Sequence, residues 1–447
     1  MPSPLIVCTL SLLMCVLSVQ SAGGVVLPPP SRQAAWPMQC LQTPALVSVY
    51  LPPSGKQPGP EGRGAVVYLK NLSAPRAGTE PDGPILADLL REGLIVLVLD
   101  LQNQPKAVAP HLNDDLRLLR RGLGRLFSAE AVNPDQVYVL AEGDRLKRNI
   151  VYYDKHGETY RLDLRYPSRP RRPSAVLMQV PVSNDNRLDN PSGHYRYNDL
   201  IAECGLTLGY AVALVDPPLK TYQGIDTMPD VAWRLKAAVR TIRSEASACN
   251  LSDRIGVMGF SRSSGQVAIL AFSGGLAQLE GDGPHKQFSS SVQAAVIHAG
   301  RMDHELLVGS GHPIAKTYLH AWGPPISAAA LKCAEGELAA REKQSDQDKT
   351  VTETLRAKVQ DLRQRRARWR DPSAVTYVTP DDPPTFLCVG ADDEYRPQQI
   401  ASLAAALKTA GVVHEHVVVP GMKHAVVSDP NVLGRIYEFL DKQLRPK

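Results

Sequence analysis

Gly256-Val257-Met258-Gly259-Phe260-Ser261-Arg262-Ser263-Ser264-Gly265 decides how the rest of this chain is read. It follows a short β-branched strand and opens into an Ala/Ile/Leu-rich segment. A strand, a tight glycine turn and then a helix lift a serine hydroxyl clear of a sheet edge, where it can serve as a nucleophile. Gly259, two residues before the serine, suits an elbow in which backbone meets backbone and a Cβ would clash. Ser263 stands where such an elbow usually has a second glycine. A serine turn alone is common, so the reading needs partners.

Two partners follow in order. Thr385-Phe-Leu-Cys-Val-Gly390 reads as a buried strand, with Asp392, Asp393 and Glu394 at its carboxyl end. A helix over Gln398–Ala410 ends at Gly411 as C-cap, then a strand over Val417–Val419 leads into Pro420-Gly-Met-Lys-His424. Ser261, an aspartate near 393 and His424 give the chain order Ser, Asp, His of an α/β-hydrolase. In such a triad the imidazole takes the serine proton, while the carboxylate fixes its tautomer and stabilises the imidazolium. The expected fold is a mostly parallel sheet with helices on both faces, extended by an N-terminal α/β region and a helical insertion.

Asp371-Pro-Ser-Ala-Val-Thr-Tyr-Val-Thr-Pro-Asp-Asp-Pro-Pro384, continuing into the 385–390 strand, resembles the pre-acid segment of secreted bacterial feruloyl-esterase-like hydrolases (BD-FAE). Tyr160-Arg-Leu-Asp163-Leu-Arg-Tyr-Pro167 resembles that family's opening strand, and the prolyl oligopeptidase catalytic domain is a more distant likeness. The resemblance covers roughly residues 149–447. It implies Ser261 as nucleophile, His424 as base and Asp393 as acid, the last because it lies three residues after Gly390. The family usually carries His-Gly-Gly after its third strand. Here the strand Ala175–Val180 runs into Pro181, which has no N–H. One oxyanion donor is then the N–H of Arg262, and the second would come from Val182 or Ser183, or from a side chain such as Asn184. Losing one donor typically costs about 10²–10³ in rate.

The 447 residues, 43% hydrophobic and 21% charged, are those of an ordinary folded protein of two or three units, or of one large α/β domain with additions. A net charge of +5 is too small to argue for nucleic acid. Leu5–Leu17 is an apolar run followed by small residues, suited to a signal peptide cleaved near Ser21 or Ala22. It is too short to span a bilayer, which takes about 20 apolar residues. The expectation is a secreted or periplasmic protein with no membrane span. Beyond the leader, Cys40, Cys204, Cys249, Cys333 and Cys388 remain, with no C-x-x-C pair. No cofactor and no metal site is expected. Sequons occur at Asn71 and Asn250.

Residues 23–148 read as a degenerate α/β half-domain. Val47–Leu51 falls against Leu162–Tyr166, and Ala65–Leu69 against Ala175–Gln179. Gly93 and Asp100 have the same separation as Gly209 and Asp216, and amphipathic helices follow at 112–126 and 231–242. Pro134–Gly143 falls against Ser252–Ser261, putting Gly143 in the nucleophile's place. Either the region is a duplicated first half without a nucleophile, or the likeness is only that of all β-α-β units. Pro52–Gly64 reads as a surface loop.

An insertion at about 303–371 has helical composition over Ala328–Arg370, broken near Gln344–Lys349, and is placed to act as a lid. Its run Arg363-Gln-Arg-Arg-Ala-Arg-Trp-Arg370 is either a solvated helix face or a contact for an anionic substrate. His298, His304, His312 and His320 read as structural or substrate-side. The sequence thus points to a serine hydrolase acting on a small-molecule or polysaccharide-linked carboxylic ester. The alternatives are a prolyl-oligopeptidase-like peptidase and an inactive hydrolase-fold binding protein.

Overall fold

The computed structural model describes residues 32–36, 45–51, 63–70, 82–91, 94–100, 132–141, 144–155, 157–167, 170, 172–182, 205, 208–218, 221–222, 225–226, 228–343, 349–425, 427 and 429–445. The leader, Ser183, Asn184, Gly143, the 112–126 helix, Asn71, Cys40, Cys204 and residues 52–62 of the expected loop lie outside these.

Two sheets are built in succession. The first holds β1 (Arg32–Trp36), β2 (Ala45–Tyr50), β3 (Arg63–Lys70), β4 (Ile95–Asp100) and β5 (Val132–Ala141), with α1 (Asp82–Arg91) before β4. Its order is β1-β2-β4-β3-β5. Ile85, Leu86, Leu89 and Leu90 recur at helical spacing along α1 and bury against Val66, Tyr68, Val96 and Val98 of the sheet.

The second sheet holds β6 (Asp144–Lys155), β7 (Glu158–Pro167), β8 (Ser174–Val180) and β9 (Ala211–Val215). After a small ribbon of β10 (Thr221–Tyr222) and β11 (Ile225–Asp226) come α2 (Asp230–Ser244), α3 (Ala246–Cys249), β12 (Leu251–Phe260) and α4 (Arg262–Phe272). Then follow β13 (Ala294–His298), α5 (Pro313–Trp322), α6 (Ala328–Glu342), α7 (Lys349–Arg370), β14 (Thr385–Gly390), α8 (Arg396–Ala410), β15 (His414–Val419) and α9 (Pro430–Leu444). The order is β15-β14-β13-β12-β8-β9-β7-β6, antiparallel only where β7 meets β6 and β9. This is the strand order of the α/β-hydrolase fold. Its sheet begins at Asp144, so the expected boundary at 149 falls inside β6.

Strand β8 shows why the sheet is covered on both sides. All seven of its residues are buried, as in a parallel strand with helices on each face. Val176, Met178 and Val180 join the core with α2, α4 and α8. Ala175 and Leu177 point the other way, into the core with Ile436, Phe439, Leu440 and Leu444 of α9.

The first sheet repeats the first five strands of the second, in order and in direction. The registers agree as well. Val47 pairs with Leu99 as Leu162 pairs with Val215. Ala65 pairs with Ile95 and Val137 as Val176 pairs with Ala211 and Ile255. Both central ladders slip at the same place, between Arg63 and Ala65 and between Ser174 and Val176. The ladders therefore set Ala65 against Val176, one residue beyond the Ala175 expected from the sequence.

Between β13 and β14, α6 and α7 form a hairpin. Arg363 pairs with Glu335 at 2.8 Å and Arg356 with Glu342 at 2.8 Å, while Arg366 donates to the Ile326 carbonyl at 2.8 Å. Arg365 contacts Asp361 at 3.7 Å and the Pro324 carbonyl. These partners inside the insertion occupy the guanidinium groups of Arg363, Arg365 and Arg366, which favours the helix-face reading of the basic run. At the hairpin's root Trp369 is buried with Tyr318, Leu307, Ala315 and Tyr395. Because Tyr395 belongs to the loop after β14, the insertion is seated at the carboxyl end of the sheet. Among the described residues Cys249, Cys333 and Cys388 are free thiols, and burial pushes Cys388 up to about 12. Asn250, one of the two sequon asparagines, is exposed at φ 49° as the left-handed C-cap of α3.

Candidate active site

Ser261 sits between β12 and α4 at φ 55°, ψ −120°, a conformation costly for a non-glycine residue. Its neighbours hold it there. The Ser261 N–H donates to the His298 carbonyl at 2.9 Å, and Ser264 Oγ accepts from the His298 N–H at 2.7 Å. A Cβ on Gly259 would stand 2.7 Å from the Ser263 carbonyl oxygen, so the turn needs glycine there. Ser263, in the place of the elbow's usual second glycine, is fully buried. Its Oγ accepts from the Phe260 N–H at 3.0 Å and donates to the Phe260 carbonyl at 2.8 Å. The substitution adds a bracket to the turn.

The candidate acid and base follow β14 and β15. At the end of β14, a Cβ on Gly390 would lie 2.0 Å from the Met422 carbonyl oxygen. Glycine here lets the segment after β15 cross over the strand end, and the Asp392 N–H donates to that same carbonyl at 3.0 Å. The crossing delivers His424. Its Nε2 lies 2.9 Å from Ser261 Oγ, and its Nδ1 lies 2.9 Å from Asp393 Oδ2. A tautomer with the proton on Nδ1 donates to the carboxylate and leaves Nε2 to accept from the serine. Asp393 is fully buried, whereas Asp392 and Glu394 are exposed. The structure thus brings together Ser261, His424 and Asp393, and leaves Asp392 outside.

Phe260 and Arg396 were not visible as site residues in the sequence, whereas Glu394, His298, His304 and His312 were already named there. Phe260, between Gly259 and Ser261, stacks on the His424 ring with centroids 4.8 Å apart and planes 25° apart. Arg396 reaches the second oxygen of Asp393 at 3.0 Å. Glu394, at φ 38°, binds His312 Nε2 at 2.9 Å and lies 3.7 Å from Arg396. His298 is buried behind the site; burial, with the nearby His424, pushes it down to about 3. His304 is likewise driven to about 3, by burial first and then by Arg301. No single residue type or spacing announces the contacts of Phe260 and Arg396, though a G-x-S turn does mark Phe260 as the neighbour of Ser261.

The expected oxyanion donors are placed in part. Arg262 opens α4, and the N-terminus of a helix favours negative charge. Val180 of β8 pairs with Gly259 of β12, so Val182 and Ser261 each leave adjacent strand ends two residues later. Val182 is half-buried against the core. Ser183 lies outside the described residues. Among the described residues no cluster of His, Cys, Asp or Glu could hold a metal ion, and no helix is long and apolar enough to cross a membrane.

No family model matches the chain, and no curated protein does. Solved structures resemble it. A truncated carbohydrate esterase from gut microbiota is 19% identical over 67% of this chain and 95% of its own, with a TM-score of 0.47. A thermophilic esterase from the Planctomycetes species Thermogutta terrifontis, with propionate bound, is 18% identical over 68% and 97%, at 0.44. A lipase/esterase from Lactobacillus plantarum is 14% identical over 67% and 98%, at 0.44. At such identities and TM-scores neither activity nor substrate passes from these proteins to this one.

Proposed function

We propose that this chain is a serine hydrolase that cleaves carboxylic esters through an acyl-enzyme. The observation that carries the reading is the continuous hydrogen-bonded line from Ser261 Oγ through His424 to buried Asp393. As His424 Nε2 takes the hydroxyl proton, Oγ bonds to the ester carbonyl carbon and the carbonyl oxygen becomes an oxyanion. The N–H of Arg262 is the proposed first donor to that charge, and an N–H of Val182 or Ser183 the second. Collapse breaks the bond to the alcohol, which leaves with the proton from Nε2. Water then attacks the acyl-enzyme with the same histidine as base, and the acid departs with Ser261 regenerated.

The substrate class is a small-molecule or polysaccharide-linked ester, and the leader-like run at 1–22 points to a secreted or periplasmic site of action. The shared ladder registers support reading the first sheet as a duplicated half-domain that stops where a nucleophile would stand. That half is non-catalytic.

The test is labelling with a fluorophosphonate probe alongside turnover of a panel of nitrophenyl esters, acylated sugars and peptides. The intact protein labels at Ser261 and turns over esters; Ser261→Ala and His424→Ala each abolish both, and the double variant loses no more than either alone. A folded intact protein that neither labels nor turns over any ester would make it an inactive binding protein. Peptide cleavage exceeding ester cleavage would make it a peptidase.

A further inference from the structure

Asp393 has two oxygens, and each is held by a different positive group. Oδ2 faces His424 Nδ1 at 2.9 Å, and Oδ1 accepts from the Arg396 guanidinium at 3.0 Å. The carboxylate is fully buried and the Arg396 side chain is only 13% exposed. Arg396 is itself held in place: its guanidinium stacks over the Tyr395 ring at 4.9 Å and lies 3.7 Å from Glu394. Glu394 in turn accepts from His312, the N-cap residue of α5. A line of contacts thus runs from the insertion to the acid.

A buried ion pair of this kind has two effects. It fixes the rotation of the carboxylate, so that Oδ2 stays aimed at the imidazole. It also places a permanent cation beside the charge that must stabilise the His424 imidazolium, and a like charge nearby disfavours a second one. We propose that Arg396 is a positioning residue of the triad, which holds Asp393 in rotation and moderates its grip on the protonated base. The proposal rests on the reading of Ser261 as nucleophile for its catalytic consequence, but its electrostatic part does not.

Of the other titratable groups, His298 at the end of β13 interacts with His424 and Asp393, Glu394 lies 3.7 Å from Arg396 and binds His312 at the start of α5, and Asp392 and Lys423 are exposed. Among the described contacts, Arg396 and His424 are the side chains that bond the Asp393 carboxylate.

The experiment uses the full chain with Arg396→Met and Arg396→Lys, each checked for an unchanged fold by circular dichroism. Two readouts are taken across pH: the rate of fluorophosphonate labelling and the ring-proton NMR titration of His424, assigned with a His424→Asn variant. Removing the cation lets Asp393 hold the imidazolium more tightly. In Arg396→Met the acid limb of the labelling rate and the His424 midpoint therefore both move up by about one pH unit. Its kcat falls about 10-fold with KM changed less than about twofold. Arg396→Lys restores the limb but only part of kcat, because an ammonium supplies the charge without the planar fork. A fall in rate with neither the limb nor the midpoint moved, or the same movement in the lysine variant, would overturn the proposal. If the parent protein does not label at all, the hydrolase reading fails, while the His424 midpoint still decides whether Arg396 acts on the pair.

Discussion

The ring of Phe260 lies flat against the imidazole of His424, centroids 4.8 Å apart, so the residue immediately before Ser261 also supports the ring that meets its hydroxyl. Phe260 is buried and also meets His298 at 5.0 Å. A shorter, non-planar side chain would leave the imidazole free to tilt. Phe260→Leu is expected to lower kcat about 10-fold, while this large-to-small swap costs less stability than the roughly 3–5 kcal/mol of a buried Phe→Ala. Ester turnover and a thermal melt of the same preparation check this. An unchanged kcat would mean that the serine and the acid alone hold the ring.

The two adjacent aspartates separate cleanly by burial. Asp393→Asn keeps the shape but gives the imidazole the wrong partner, and kcat should drop about 10⁴-fold. Asp392 is exposed and its backbone, not its carboxylate, makes the bond to Met422. Asp392→Asn should stay within about threefold of the parent. Steady-state kinetics on one ester with both variants decides between them, and the reverse ordering would move the acid.

Gly390→Ala is a test of how the base is delivered. The added methyl would collide with the backbone at Met422, with no flexible side chain to yield. The segment carrying His424 must shift, and a displacement near 1 Å in a catalytic group costs about 10²-fold. Activity is therefore lost well before the fold is. The check is fluorophosphonate labelling at temperatures where circular dichroism is still native.

Acid should loosen the molecule through its buried histidines. His304 has its folded value depressed to about 3 by burial, against about 6.5 when exposed. The unfolded chain therefore binds more protons in between. Stability from this group is fully present above pH 6.5 and is lost as pH falls toward 3. His304 meets Tyr318 and Trp322 at 5.3 and 6.0 Å, so the effect falls on the seat of the insertion. His304→Phe should flatten the dependence of urea midpoint on pH between 6.5 and 4. An unaltered slope would leave the dependence to His298 and the carboxylates.

Much of the fold could be read from apolar runs and glycines. The strands at 175–180 and 385–390, the elbow and the helix ending at Gly411 are all local signals, and they lie where expected. Strand β15 starts at His414, three residues before the apolar triplet that announced it. Its first half is held by the ladder to β14 alone, and His414, Glu415 and His416 give no hydrophobic signal. Ser263 looked like a defect in the elbow because sequence shows a missing glycine but not the hydrogen bonds its hydroxyl makes. Arg396 was missed for the opposite reason: an arginine opening a helix reads as solvated until its bond to Asp393 is seen. The arginines of α7 could be sorted only once the hairpin had supplied their partners.

Strand β15 closes one edge of the sheet and is hydrogen-bonded, among the described strands, only to β14. His424 hangs from that edge, while Ser261 stands at the centre, between β12 and α4. An edge opens at lower free energy than a centre. Fraying of a few residues after Val419 would thus disarm the serine and leave the core closed. On the proposed reading, activity would switch off reversibly under mild stress, and its working range would be set by the sheet's margin rather than its middle.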